Sequence, residues 1–238
     1  MAVYPLNSDY GLNGTVSDEH FPAVSKGVNL AEGPYGKPGG SYSFSGTTNS
    51  YIEIPKHNKL NTRFAITVMM WVRPQSDGPL FQYHHSTQWY VSLWFKKIGS
   101  YLKFLWVIKS QKLTASSTLT YDAKFDKWQH LAVSYSSSNA IMEIWTDGHK
   151  QIRKQFRKLT IKTTDGPIRI GKVETSGNTR YFKGQISCLQ VYEMALTGNE
   201  ILETMDRCFL PSGKKIICHF VINWMLLWCF ARNSLVNF

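Results

Sequence analysis

The chain is poor in acid and in cysteine, and it lacks the spacings that mark most metal, redox and membrane proteins. Sixteen Asp and Glu stand against 27 Lys and Arg in 238 residues, a formal charge of +11. Such an excess attracts polyanions, whether sulfated glycan, nucleic acid or an acidic membrane surface, without choosing among them. No arginine-rich arm or RNA-binding aromatic signature accompanies it, so nucleic acid is not an expected partner. None of the four cysteines forms a C-x-x-C pair, which removes the common zinc and dithiol motifs. For Cys188 and Cys208 a disulfide is the better reading, and it implies an oxidising compartment. The start, Met-Ala-Val-Tyr-Pro-Leu-Asn, has neither the basic residues nor the apolar run of a secretory signal. The chain therefore reads as part of a longer extracellular or cell-surface protein, or as an incomplete gene product, with a cytosolic protein as the alternative. No internal repeat is visible.

Long apolar runs are also missing. The longest, 216–231, is interrupted by His219 and Asn223 and falls short of the roughly 20 residues a membrane span needs. Residues 209–238 are read as an apolar tail outside the domain, either an anchor or a gene-model artefact, with a core element as a third reading. A membrane is an expected partner only if 216–231 is a genuine anchor.

What is abundant is aromatic and β-branched character broken by turns. Twelve Tyr and eight Trp among 43% hydrophobic residues suit strands, and 18% charged residues are too few for disorder. Apolar runs at 41–44, 51–54, 66–73, 80–83, 89–95 and 101–108 alternate with clusters of Gly, Pro, Asn and Ser, the pattern of a sandwich. Period two continues through 128–135 and through Met142, Ile144 and Thr146. Asp147-Gly148 then predicts a tight hairpin, followed by a strand-like run over 149–161. The run 182–192 is apolar on both parities, so it is buried on both faces or bulged. Beyond it the period changes: Thr197 and Glu200 have capping-box spacing, with Leu196 and Ile201 placed as a staple, predicting one short helix over 197–207.

Three stretches resemble the laminin-G-like branch of the concanavalin A-like lectin/glucanase superfamily. They are Phe64-Ala-Ile-Thr-Val-Met-Met-Trp-Val-Arg-Pro74, then Trp128-Gln-His-Leu-Ala-Val-Ser-Tyr135 with Ile144-Trp-Thr-Asp-Gly148, then Tyr181-Phe-Lys-Gly-Gln-Ile-Ser-Cys-Leu-Gln-Val-Tyr192 with its capped helix. The resemblance covers about 1–208. It implies an all-β, two-sheet antiparallel jelly-roll sandwich with one short C-terminal helix. It also implies an extracellular recognition module that binds glycan or a protein surface. A purely structural matrix or adhesion repeat and a glycoside hydrolase are the alternatives that share the fold. Related domains often place an acidic calcium ligand where this chain has Ser187, so no cofactor is expected unless Glu53, Asp77 and Asp165 supply oxygens to calcium.

Several residues invite functional readings. A glycosidase needs two carboxylates facing across a sugar. Only Glu143 and Asp147 come near that spacing, Asp147 is accounted for by the turn, and the glucanases' Glu-x-Asp-x-x-Glu pattern is absent. No catalytic residue is assigned, and the chain is read as a non-enzyme. His130 reads as a satisfied structural histidine, and the adjacent His84 and His85 as loop residues. Trp89, Tyr90 and Trp94 are either an aromatic platform for a sugar ring or core packing. Lys150, Arg153, Lys154, Arg157, Lys158 and Lys162 crowd the hairpin's outgoing arm. With Lys150, Lys154, Lys158 and Lys162 on one parity, the arm reads as a lysine stripe, either for a sulfated glycan or for protecting a sheet edge.

Overall fold

The computed structural model describes residues 1–57, 60, 62–85, 88–110, 116–161, 166–175, 178–209, 214–218 and 229–233, with backbone alone for 84, 85, 88, 89, 175, 178, 214–218 and 229–233. Two antiparallel sheets face one another. The larger runs His149–Gln155, Ile141–Thr146, Gln129–Ser136, Ala65–Pro74, Lys183–Tyr192, Ala2–Tyr4, Thr15–Val16, Glu19–His20. Ser41–Ser45 shares the edge of Lys183–Tyr192 with Ala2–Tyr4 and carries Val28–Ala31 beyond it. The second sheet runs Ser116–Ala123, Tyr101–Lys109, Gln88–Ile98, Gly78–His85, Ile168–Ile170, Tyr51–Ile54, Val24–Lys26.

Alternation builds the core. In Tyr101–Lys109 the residues Leu102, Phe104, Trp106 and Ile108 are buried while their neighbours are not, and they meet Ile66, Val68, Leu131, Val133 and Tyr135 of the large sheet in one apolar cluster. The middle strands Ala65–Pro74 and Gln129–Ser136 are instead buried on both faces, so something covers the outer side as well. That cover is the chain's C-terminal part. The helix Gly198–Thr204 begins with the expected box: Thr197 accepts from the Glu200 amide, and the Glu200 carboxylate accepts from the Thr197 amide at 2.7 Å. Leu196 and Ile201 then close over Met69, Ala132, Trp145 and Tyr192.

Cys188 and Cys208 are joined, with sulfurs at 2.05 Å and Cα atoms 5.5 Å apart. The strand Lys183–Tyr192 is both buried on two faces and bulged between Ser187 and Gln190, and Cys188 takes a left-handed φ of 50° there. The extra residue turns the thiol toward the segment that follows the helix.

At the hairpin, Asp147 and Gly148 both have positive φ, 50° and 76°, the primed turn whose twist suits two antiparallel strands. The strand-like run after it is shorter than predicted. It ends at Gln155, because the Tyr135 hydroxyl both donates to the Leu159 carbonyl and accepts from its amide at 2.8 Å. Leu159 and Ile161 are thereby drawn into the core. Arg157 and Lys158 sit on this inward turn rather than on a strand, and Lys162 lies outside the described residues. The tail contributes a separate two-stranded pairing of Lys214–Cys218 with Cys229–Asn233. Among the described residues no helix is long and apolar enough to cross a membrane.

Candidate functional site

The predicted lysine stripe fails for a second reason. Ile144 pairs with Ile152 but Trp145 pairs with Lys150, so Gln151 is an extra residue in the outgoing arm. The bulge reverses parity. Lys150 and Arg153, which strict alternation places on opposite faces, both project from the outer face of the large sheet, whereas Lys154 leaves that face and lies over the Phe156 ring at 5.2 Å.

Lys150 and Arg153 converge on Glu143. Arg153 Nη1 donates to Oε1 at 2.8 Å, Lys150 Nζ stands 3.6 Å from the same oxygen, and the Ser134 hydroxyl donates to Oε2 at 3.4 Å. The Glu143 side chain is only 12% exposed, while its two cations are about half exposed. Lys150 Nζ also lies 5.2 Å above the Trp145 ring, a favourable cation–π placement. Two positive groups thus share one sheltered carboxylate, and the outward balance is positive.

These residues line a groove of about 330 Å³ that also contains Ser136, Asn139, Ile141 and the backbone bend Ala195 to Gly198. The bend is fixed from the sheet: Thr67 Oγ1 donates to the Met194 carbonyl at 2.7 Å and accepts from the Leu196 amide at 2.9 Å. Gly198 packs on the Trp145 ring so closely that a Cβ would approach its carbons to 2.8 Å. The result is an apolar floor of Trp145 and Ile141 with a rim of hydroxyl, amide and charged groups. A polyhydroxylated ligand needs that combination, one face for C–H contact and fixed donors and acceptors around it. Glu143 and Trp145 were legible, since they fall on the parity opposite Met142, Ile144 and Thr146. Their meeting with Lys150 and Arg153 required the bulge, and the wall at 195–198 required the tertiary fold.

The other expected residues scatter. Trp94 is half-buried beneath Arg180, whose Cζ lies 5.8 Å from its ring. Tyr90 is buried and so does not join Trp94 in an open platform, and the side chain of Trp89 is outside the described set. Glu53 is held by Arg169, with Nη2 at 2.8 Å and Nε at 3.0 Å from one carboxylate oxygen. Asp77 lies on an exposed turn, Asp165 is outside the described residues, and Ser187 donates to the Gly40 carbonyl at 2.7 Å. Among the described residues no three His, Cys, Asp or Glu side chains gather as a metal cluster.

Asp147 does not face Glu143 as a catalytic partner would. Its carboxylate accepts from the His130 amide at 2.9 Å and pairs with Lys124 at 3.1 Å, which holds the turn. His130 is buried edge-on to Trp71, and neither ring nitrogen has a hydrogen-bond partner among the described residues. It is structural, as expected, but not satisfied. Burial pushes its pKa down to about 4, opposed by the nearby Asp147 charge.

Comparison with known proteins places this architecture. Residues 45–202 match a laminin-G family model described as the concanavalin A-like lectin/glucanases superfamily. No curated protein matches the chain. Among solved structures, the binding domain of botulinum neurotoxin serotype G is similar at a TM-score of 0.65 with 12% identity, covering 86% of this chain and 50% of that one. The serotype D ligand-binding domain in complex with N-acetylneuraminic acid gives 0.65 and 12%, with 87% and 50% covered. Botulinum neurotoxin type C, whose cell entry depends on interaction with two ganglioside molecules, gives 0.64 and 14%, with 87% and 51% covered. At such identities the likeness is one of fold, and this chain spans about half the length of those chains.

Proposed function

Because the chain belongs to the concanavalin A-like lectin/glucanases superfamily, we propose that it is a non-catalytic recognition module that binds glycan in the groove at Glu143, Trp145, Lys150 and Arg153. The observation that carries this reading is the convergence of Lys150 and Arg153 on one sheltered carboxylate above an indole floor. Solved structures of similar fold are binding domains, and two of them are described with N-acetylneuraminic acid or gangliosides. The excess of positive charge outside the groove favours acidic glycans through long-range attraction. The disulfide supports an extracellular or cell-surface setting.

The groove would work by complementarity rather than by chemistry. Glu143 orients the Arg153 guanidinium and the Lys150 ammonium, and each keeps donors directed outward for ligand oxygens. The two other carboxylates near the groove among the described residues are already engaged, Asp147 in the hairpin turn and Glu200 in the helix cap with Thr197, which favours binding over a free acid–base pair.

A glycan array with sialylated, sulfated and neutral members tests the reading directly. Arg153→Ala should weaken binding to the best glycan by about tenfold, the usual scale for losing one hydrogen bond to a charged group. Glu143→Gln should weaken it less. The triple change Lys154→Ala, Arg157→Ala, Lys158→Ala should leave it nearly unaltered. If instead the triple variant loses binding to heparin and Arg153→Ala does not, the ligand rides on the basic arm and the groove is not the site. Cleavage of any oligosaccharide would overturn the non-catalytic reading.

A further inference from the structure

The end of the sandwich away from the Arg63 and Phe64 bend carries three large apolar side chains in water. Ile98 is 50% exposed, Tyr101 64% and Phe125 58%. Ile98 and Tyr101 pair across the Gly99-Ser100 turn and so share one face of that hairpin. The adjacent strand Ser116–Ala123 pairs Leu102 with Ala123, which brings the turn containing Phe125 up beside Tyr101. Isolated exposed apolar residues are ordinary, but three large ones gathered on neighbouring turns at one pole are not.

Geometry makes this pole project. The pairing of Gln88–Ile98 with Gly78–His85 stops at Phe95 and Gly78. Residues 96–98 therefore continue with a partner on one side only, about 10 Å of strand beyond the sheet's shoulder. Phe125 is not a loose residue. The next residue, Asp126, has a left-handed φ of 51°. Its amide donates to the Pro74 carbonyl at 2.8 Å, and its carboxylate accepts from Arg73 Nε at 2.9 Å and Gln75 Nε2 at 3.0 Å. The ring is presented on a braced turn.

Charge completes the pattern. Five lysines lie within three residues of these side chains in the chain: Lys96, paired with Lys103 two positions from Ile98 and Tyr101, and Lys97, Lys124 and Lys127, all exposed but the half-buried Lys103. Lys103 is paired with Asp122 and Lys124 with Asp147, while Asp126 is held by Arg73. Lys96, Lys97 and Lys127 have no ion pair among the described residues, against the exposed Asp77 alone. Apolar tips flanked by lysines match the layered chemistry of a bilayer surface, apolar beneath and anionic above.

From these observations we infer that the turns 96–103 and 124–127 form a docking pole for membranes containing anionic phospholipid. Ile98, Tyr101 and Phe125 enter the headgroup boundary and the lysines lie against the phosphates. This is independent of glycan recognition, since the groove residues lie on the outer face of the other sheet.

The test is co-sedimentation of the full chain with phosphatidylcholine vesicles, with and without phosphatidylserine and free of any glycolipid. Binding should require phosphatidylserine and weaken with salt. Ile98→Ser, Tyr101→Ser and Phe125→Ser together should reduce it by about tenfold or more, as should Lys96→Gln, Lys97→Gln and Lys127→Gln together. Thermal unfolding of both variants should match the parent, because every substituted side chain is exposed. The inference is overturned if the parent ignores phosphatidylserine vesicles. It is equally overturned if the serine variant binds them as the parent does, since a charge-only surface or another part of the chain would then be responsible. Glycan binding by either variant should be unchanged, so failure here and failure of the groove are separately readable.

Discussion

Along the strand Gln129–Ser136, His130 and Ser134 point to the same side of the large sheet and meet opposite environments. Around His130 the chain has closed the surface. Trp71 packs edge-on against the ring, its Nε1 donates to the Met205 carbonyl at 3.2 Å, and Cys188, Cys208, Trp128 and Phe209 complete an apolar cluster. Around Ser134 the described residues laid over the sheet are those at the edge of the 195–198 bend, and polar groups line a groove. Strand, parity and sheet are common to both, so the difference lies in what the last residues of the domain cover. The segments flanking the short helix do two jobs: residues 205–209 seal one half of the face and the 195–198 bend walls the other. On this face it is the unsealed half where side chains can change partners without exposing core.

The sharpest way to break this comparison is to cut the seal. Replacing Cys188 and Cys208 by Ala should lower unfolding free energy by about 3 kcal/mol, the chain-entropy value for a loop of this length, read from urea melts. A loss below about 1 kcal/mol would mean that apolar packing alone holds the sealed half.

Acid should act on the same half. His130 is neutral when folded, with a pKa depressed to about 4, whereas the unfolded chain titrates near 6.5. Between those values the unfolded state binds the extra proton. Stability is therefore full above about pH 6.5 and falls on acidification to about pH 4, by roughly 2–3 kcal/mol from this residue. His130→Leu should flatten that part of the pH profile. An unchanged profile would place the acid sensitivity in the carboxylates.

The open half should be nearly silent in stability. Arg153→Ala and Ser134→Ala should each shift unfolding by less than about 0.5 kcal/mol, since their contacts are solvent-screened or weak. A larger loss for Arg153→Ala would make the Glu143 cluster part of the scaffold and sharpen the contrast with its expected effect on glycan affinity.

Much of this molecule follows from local chemistry. The period-two runs, the Asp147-Gly148 turn, the capping box at Thr197 and the double-sided apolar run 182–192 depend on residues close in the chain, so their structural meaning can be read without a partner. The pairing of Cys188 with Cys208 was also legible, because no metal or redox spacing competed for those thiols. Parity beyond an irregularity was not. One residue, Gln151, slips the register and changes which cations share a face, and a bulge is decided by twist and packing across the sheet rather than by its own sequence. The length of the basic arm was likewise decided at a distance, by the Tyr135 hydroxyl 24 positions before Leu159.

 The groove is the clearest case of what only the folded chain could settle. Glu143, Lys150 and Arg153 lie within one hairpin, and their charges are visible in the sequence. The wall that turns them into a site comes from residues 195–198, held in place by Thr67 on a different strand. Local sequence determines which backbone shapes are cheap and which side chains prefer water. Which polar groups end up sheltered together depends on contacts between distant segments, whose geometry no short stretch of sequence encodes.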